Sequence, residues 1–414
     1  MIIDLKMTKK NKDSKKVLTT TISICILFVV LSFFFVPDWF QTDYATDSLI
    51  ANAESEEEII EDIPAPPKVF HMETPDSVKT IYMTACVAGT TDFRQDLVDL
   101  VDETEINSII IDIKDFSGTI SFETDLLGSE GTGCKASNMK GFIEELHAKG
   151  IYVIGRITVF QDPLYTKAHP ELAVKKASDG SVWKDHKGLS FIEVGAKPYW
   201  EYIVDLSKES YAIGFDELNF DYVRFPSDGN MKDIYFPFSE SKINANPESG
   251  KADALKEFFS YLHDELDELG VKTSADLFGM TTTNTDDLNI GQILEYALPY
   301  FDFIAPMVYP SHYPKTFHGY ADPNDYPYEV IEFSMGTAVD RVNAMKNSST
   351  TPDSIKEVLS TDQLRPWLQD FDYGGDYGPT EVREQIQATY DVGLDSWMLW
   401  APSNRYTRGA LKDK

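Results

Sequence analysis

The chain has 414 residues, 42% of them hydrophobic and 13% aromatic, which is enough apolar content for a sizeable core and excludes global disorder. Asp and Glu outnumber Lys and Arg by 68 to 37, giving a formal net charge of −31 at pH 7. Such a surface repels phosphate backbones, so nucleic acid is not an expected partner.

The N-terminal stretch is basic, with Lys6, Lys9, Lys10, Lys12, Lys15 and Lys16. An uncharged apolar run follows over 17–36, VLTTTISICILFVVLSFFFV, about long enough to cross a bilayer as a helix. The lysines predict a cytoplasmic tail over 1–16 and an extracytoplasmic C-terminal part. A cleaved signal peptide competes with this reading, but the nearest small-residue site, Ala51-Asn52-Ala53, lies well beyond the apolar run. A single-pass anchor in the cell membrane is therefore expected, or a secreted protein if the segment is removed. Residues 37–77 are acidic and contain Pro64, Pro66 and Pro67, which predicts a linker, with the folded domain starting at 78. The cysteines are Cys25, Cys86 and Cys134. Cys86 and Cys134 could pair in an oxidising compartment, but two free buried thiols are the expected state.

From 78 onward, apolar β-rich runs alternate with amphipathic helical stretches. The predicted strands are 80–87, 108–113, 151–160, 215–223, 271–277, 303–309, 364–369 and 396–400. The predicted helices are 92–103, 137–149, 198–211, 252–269, 290–298, 328–346 and 380–390, with a short end at 404–411. Gly150, Gly214, Gly270 and Gly393 stand where helix C-caps belong. Eight strand–helix alternations predict an α/β fold, a closed (β/α)8 TIM barrel, behind the transmembrane helix and acidic linker. No Gly-rich phosphate fingerprint follows the first strand, which argues against dinucleotide binding. Long insertions follow the third and fourth strands (161–197 and 227–251) and are expected to shape substrate access, with Trp183 and His186 as loop anchors.

The segment 214–226, GFDELNFDYVRFP, carries the most chemical information. A strand interior does not accept an unpaired carboxylate cheaply. Glu217, Asn219 and Asp221 alternate onto one face, with Asp216 and Arg224 on the other. Other strand ends add Asp112 and Lys114, Arg156, Asp276, Met307 and Tyr309, Gln369, and Trp400. Carboxylates, cations, an amide and aromatics at the C-terminal mouth of a barrel suit a sugar, whose hydroxyls and apolar ring faces those groups bind. Glycosidic cleavage needs two carboxyl groups. Asp221 and Asp276 are the candidates, at matching depth on adjacent strands about 4.8 Å apart and within reach of the roughly 5–5.5 Å of a retaining pair. Asp112, Lys114, Arg156, Asn219, Arg224, Met307, Tyr309, Gln369 and Trp400 are the candidate substrate-binding residues. Structural alternatives stand beside these roles: Asp221 paired with Arg156 or Arg224, Asp276 capping its loop, Asp112 paired with Lys114, Trp397 filling the barrel wall. His312 is either a proton shuttle or structural. No Cys/His cluster or His/Asp set indicates a metal, and no cofactor is required.

The motifs IIIDIKD (109–115), GIYVIGRITVFQDP (150–163), FDELNFDYVRFP (215–226), SADLFG (274–279), DFIAPMVYPSHY (302–313) and LDSWMLWAPSN (394–404) resemble a bacterial family described as putative glycosyl hydrolases. The likeness runs from about residue 78 to the C-terminus and implies a TIM barrel with carbohydrate-active function. GFDELNFDYV is also similar to the fourth strand of chitinase-type barrels, where Asp216 and Asp221 match two of the acids. Met307, Tyr309 and Trp400 match further positions. Asn219 departs from that pattern, and so does Val223, which stands where the proton-donating Glu would be. The nucleophile position of α-amylase-type barrels implies Asp221 as the acting carboxylate. The expected activity is hydrolysis of an extracellular or cell-wall polysaccharide or oligosaccharide. The alternative is a non-catalytic sugar-binding barrel, which the substitution at Val223 motivates. The oligomeric state is left open.

Overall fold

Eight parallel strands close into a ring in the computed structural model, which describes residues 69–414. They are β1 (Lys79–Met83), β2 (Ser108–Lys114), β3 (Tyr152–Thr158), β4 (Glu217–Asp221), β5 (Lys272–Phe278), β6 (Phe303–Met307), β7 (Trp367–Gln369) and β8 (Trp397–Trp400). Each pairs with its chain neighbours, and β8 returns to β1 through Lys79 and Trp397. Helices cover the outside: α1 (Thr91–Glu103), α2 (Met139–Ala148), α3 (Lys197–Ala212), α4 (Gly250–Asp267), α5 (Leu294–Ala297), α6 (Pro327–Asn347) and α7 (Pro379–Asp391). The expected (β/α)8 barrel is what forms. The transmembrane helix expected over 17–36, its basic tail and most of the linker lie outside the described residues. Among the described residues no helix is long and apolar enough to cross a membrane.

The strands are buried on both faces, as parallel strands under helices must be. All seven residues of β2 are buried. Ile109, Ile111 and Ile113 belong to the large cluster between sheet and helices, whereas Ile110 joins Tyr152, Ile154, Ala305, Trp367 and Met398 in a separate cluster inside the ring. The glycines expected as C-caps take positive φ: Gly150 (72°), Gly214 (119°), Gly270 (72°) and Gly393 (87°). That conformation is costly for any residue with a Cβ.

Several predicted boundaries move. The first strand stops at Met83 because Thr84 caps a short helix, Ala85–Ala88, its hydroxyl accepting from the Val87 N–H at 3.2 Å. The helix predicted over 290–298 shrinks to α5. The stretch before it turns through Leu288 and Asn289, both at positive φ, with the Asp287 carboxylate accepting from Asn289 N at 2.8 Å. The pattern at 404–411 yields only a single 3-10 turn, Arg408–Ala410. Residues 69–78 pack under the barrel: Asp216 accepts from Met72 N (2.7 Å), Val153 N (2.8 Å) and His147 Nε2 (2.9 Å), and Thr74 bonds the Tyr152 hydroxyl (3.1 Å). The two insertions join each other. Lys175–Lys176 pairs with Ile234–Tyr235, and buried Trp183 donates Nε1–H to the Asn230 carbonyl at 3.1 Å, the anchoring role expected of it.

Cys86 and Cys134 form a disulfide, with Cα atoms 4.7 Å apart, against the expectation of free thiols. The short helix after β1 is what carries Cys86 to the loop after β2, and nothing in the spacing announces it. The bridge closes a loop with a sequence separation of 48. In the chain-entropy picture that restrains the unfolded chain by about 4 kcal/mol. Reduction, or Cys134→Ala, is expected to lower Tm without abolishing the fold. Thermal unfolding with and without dithiothreitol checks this, and equal Tm values would refute it.

Candidate active site

Four neighbouring strands each send one charged side chain to the C-terminal end of the ring: Asp112 from β2, Arg156 from β3, Asp221 from β4 and Asp276 from β5. The register pairs Asp112 with Arg156, Arg156 with Asn219 and Phe220 with Ala275, so Asp221 and Asp276 follow as neighbours at the same depth. The Arg156 guanidinium serves all three acids. Nη1 donates to Asp112 Oδ1 at 2.8 Å, Nη2 donates to Asp221 Oδ2, and Nε lies 3.8 Å from Asp276 Oδ2. One cation facing three buried carboxyl groups leaves negative charge in excess when all three are ionised, which favours retention of a proton.

The surroundings of Asp276 favour such a proton. Burial and then the charge on Asp221 push its carboxyl up to about 8, only partly offset by Arg156, Asn219 and Trp367. Asn219 Nδ2 (2.9 Å) and Trp367 Nε1 (2.7 Å) both donate to Oδ1. Asp112 is also shifted upward by burial, against the pull of Arg156 and of the Tyr82 hydroxyl, which donates to it at 2.6 Å. Burial works against the charge on Arg156 itself, but Asp221 and Asp112 outweigh it and hold the guanidinium well above its ordinary range.

A hollow of about 380 Å³ opens above this cluster. Asp221 and Arg156 reach its surface, with Tyr222, Arg224, Met307 and Tyr309 among its walls. Asp276 is only 1% exposed and does not reach that surface. Tyr222, the residue after Asp221, has φ of 53°, an uncommon value for a bulky side chain that aims the chain sharply away from the strand end. Trp400 lines the same hollow with Tyr82 stacked on it, ring centroids 4.1 Å apart. His312 reaches the cleft wall too, and burial lowers its imidazole below the usual histidine value. Among the described residues no group of three or more His, Cys, Asp or Glu side chains could hold a metal ion.

The structure rearranges part of the predicted set. Lys114 does not meet Asp112. The β2–β3 register shifts between those two residues, so the simple alternation fails there. Lys114 is fully buried away from the cleft, donating to Asp162 (2.7 Å) and the Tyr199 hydroxyl (3.0 Å). Asn219 lies below the surface as a support for Asp276. Gln369 is buried as well, accepting from Ser311 N at 3.1 Å and donating to the Phe371 carbonyl at 3.0 Å, so it braces two loops. Asp216 lies at the opposite end of β4, in the floor contacts already described. Trp397 is buried in the outer cluster, as the filling reading expected. Sequence reasoning missed Tyr82 and Tyr222. It also gave Trp367 no role at the site, although an indole N–H inside a barrel needs an acceptor, and that signal was present.

A family model described as "putative glycosyl hydrolase domain" matches residues 80–406. The chain belongs to that family. This glycosyl hydrolase domain shares 34% identity with a hypothetical protein from Ruminiclostridium thermocellum, over 47% of this chain and 96% of that one, with a TM-score of 0.41. The glycoside hydrolase domain of PgaB (BpsB) from Bordetella bronchiseptica is similar at 14% identity, 81% and 99% coverage and a TM-score of 0.58. A chitobiase from Flavobacterium johnsoniae gives 11% identity, 80% and 47% coverage and a TM-score of 0.50. At these identities the latter two speak to the barrel fold alone. No curated protein matches the chain.

Proposed function

We propose that this domain hydrolyses the glycosidic bonds of an extracellular or cell-wall polysaccharide, with Asp221 as nucleophile or base and Asp276 as proton donor. The observation that carries the reading is the split between the two acids. Asp221 faces the hollow beside Arg156, while the carboxyl of Asp276 is raised to about 8 by burial and by the Asp221 charge. Pairs of carboxyl groups whose environments push them apart in this way divide the acid and base roles of glycosidases. Arg156, Arg224 and Tyr309 are proposed to position the sugar, and Asn219 to hold Asp276. Proton delivery requires a small displacement of the Arg156 side chain, which lines the hollow where Asp276 does not. The basic tail and apolar run support a membrane-anchored protein with the barrel outside the cell.

A second reading, a sugar-binding barrel without catalysis, is favoured by the near-complete burial of Asp276. Incubation of the protein with cell-wall glycans separates the two: new reducing ends support hydrolysis, and binding without product supports the alternative.

The proton on Asp276 sets the pH dependence. Activity is expected to be sustained at neutral pH and to fall as pH rises through about 8. In Asp276→Asn the residual rate should lose that alkaline limb, and a pH–rate profile unchanged by the substitution would exclude Asp276 as the donor. The same shift acts on stability. The folded state binds this proton between the unfolded carboxyl value of 3.8 and about 8, so the contribution is full below 3.8 and is lost as pH rises toward 8.

A further inference from the structure

We infer that the substrate is a long glycan laid across the whole mouth of the barrel and cut internally, with sugar rings bound on both sides of Asp221. The inference rests on the hydrolase reading above. Three hollows on the C-terminal face share walls. Tyr309, His312 and Trp400 belong both to the central hollow over Asp221 and to a wider one of about 820 Å³. On the other side, Tyr222, Arg224 and Ser227 belong both to the central hollow and to a third of about 340 Å³. The wide hollow is built by the loops after β6, β7 and β8, and the third by the loops after β2, β3 and β4. Those strand groups occupy opposite sides of the ring. The three hollows therefore stand side by side across the barrel mouth, the one over Asp221 between the other two.

A site that trims single sugars from a chain end needs a wall beside the reacting carboxylate to stop the chain. Here a further hollow adjoins the one over Asp221 on each side. The wide arm alone is within the roughly 300–1,000 Å³ of sites that take drug-sized ligands, larger than one sugar ring. Each outer arm also holds a large aromatic side chain that the fold leaves in water: Tyr373 is 64% exposed in the wide arm and Phe116 is 55% exposed in the other. Rings placed in this way match the apolar faces of pyranose rings. The carboxylate of Asp370 in the wide arm is already satisfied by Thr407, from its N–H at 2.9 Å and its hydroxyl at 2.6 Å, while Asp372 and Arg405 also line that arm. In the opposite arm Arg224, Lys187, Asp185 and Asp228 offer donors and acceptors to hydroxyls.

Each cut breaks one glycosidic C–O bond. Water supplies the hydroxyl to the anomeric carbon and the proton to the leaving oxygen, so the chain divides and gains one reducing end. The test uses the full-length chain on a soluble cell-wall glycan polymer, following viscosity, reducing ends and product size together. The expected result is early collapse of viscosity while reducing ends are still few, with oligosaccharides as products. Tyr373→Ala and Phe116→Ala should each raise KM on the polymer by roughly three- to tenfold, with a smaller effect on short oligosaccharides. Steady release of monosaccharide at nearly constant viscosity overturns the inference and leaves the hydrolase reading intact. Unchanged polymer KM in both variants does the same. Binding of the glycan with no product at all overturns the hydrolase reading and the inference with it.

Discussion

Replacing Asp221 by Asn is expected to reduce kcat on the wild-type substrate by about 10²–10⁴-fold or more, while the far-UV spectrum stays unchanged and Tm moves little. The amide keeps the shape and can still accept from Arg156 Nη2, but it has no charge with which to attack or to activate water. It also removes the negative charge that helps to raise Asp276. The variant should therefore lower the pH of the alkaline limb as well as the rate. A merely structural acid would give the opposite pattern, with Tm falling and the remaining folded fraction fully active. Steady-state kinetics beside thermal unfolding distinguishes the two, and full activity in folded Asp221→Asn removes the residue from the mechanism. Substrate should still bind to the variant, because Tyr309, Met307 and the aromatic arm are untouched.

The second large effect concerns stability. At the N-terminal end of the ring, fully buried Glu217 takes both oxygens of its carboxylate to Arg365 Nη1, at 2.9 and 3.0 Å. Ser274 Oγ (2.7 Å) and the Tyr152 hydroxyl (3.2 Å) donate to the same group. The Arg365 guanidinium carbon lies 3.9 Å from the Phe303 ring centroid. Glu217→Gln leaves a cation inside the barrel without its counter-charge, and Arg365→Met leaves the anion. Either single change is expected to cost about 3–5 kcal/mol, because a buried charge without a partner must be desolvated with nothing in return. The double variant Glu217→Leu/Arg365→Met removes both charges and should recover much of that loss. Urea unfolding of the three variants measures it. Single variants within about 1 kcal/mol of wild type would show that the pair does not hold the barrel floor.

The barrel was legible because its signal is local. Segments such as 108–113 and 271–277 are short, apolar and flanked by helical stretches, and β2 and β5 form there with boundaries within a residue. The placement of Asp221 and Asp276 at neighbouring strand ends was legible for a related reason, since a carboxylate inside an apolar strand is costly unless it reaches a polar setting. The failures also have local causes. The apolar run ACVA after Met83 reads as strand continuation, but the Thr84 cap turns it into a helix. Alternation places Asp112 and Lys114 on one face, but the register shift between them sends Lys114 outward to Asp162. Cys86 and Cys134 carry no information about pairing until that short helix and the loop after β2 are brought together.

Residue order along the chain thus determined the succession of strands and helices, and the acids at the strand ends, because periodicity and burial preference act over a few neighbouring positions. Closure of the ring decided the rest. Only when β2, β3, β4 and β5 lie side by side does one guanidinium meet three carboxyl groups, and only then do burial and the Asp221 charge raise the Asp276 carboxyl. The row of hollows at the mouth likewise exists only as a relation between loops on opposite sides of the barrel. Charge coupling and cleft shape depend on distances across the fold, and those distances are set by the packed ring rather than by spacing in the chain.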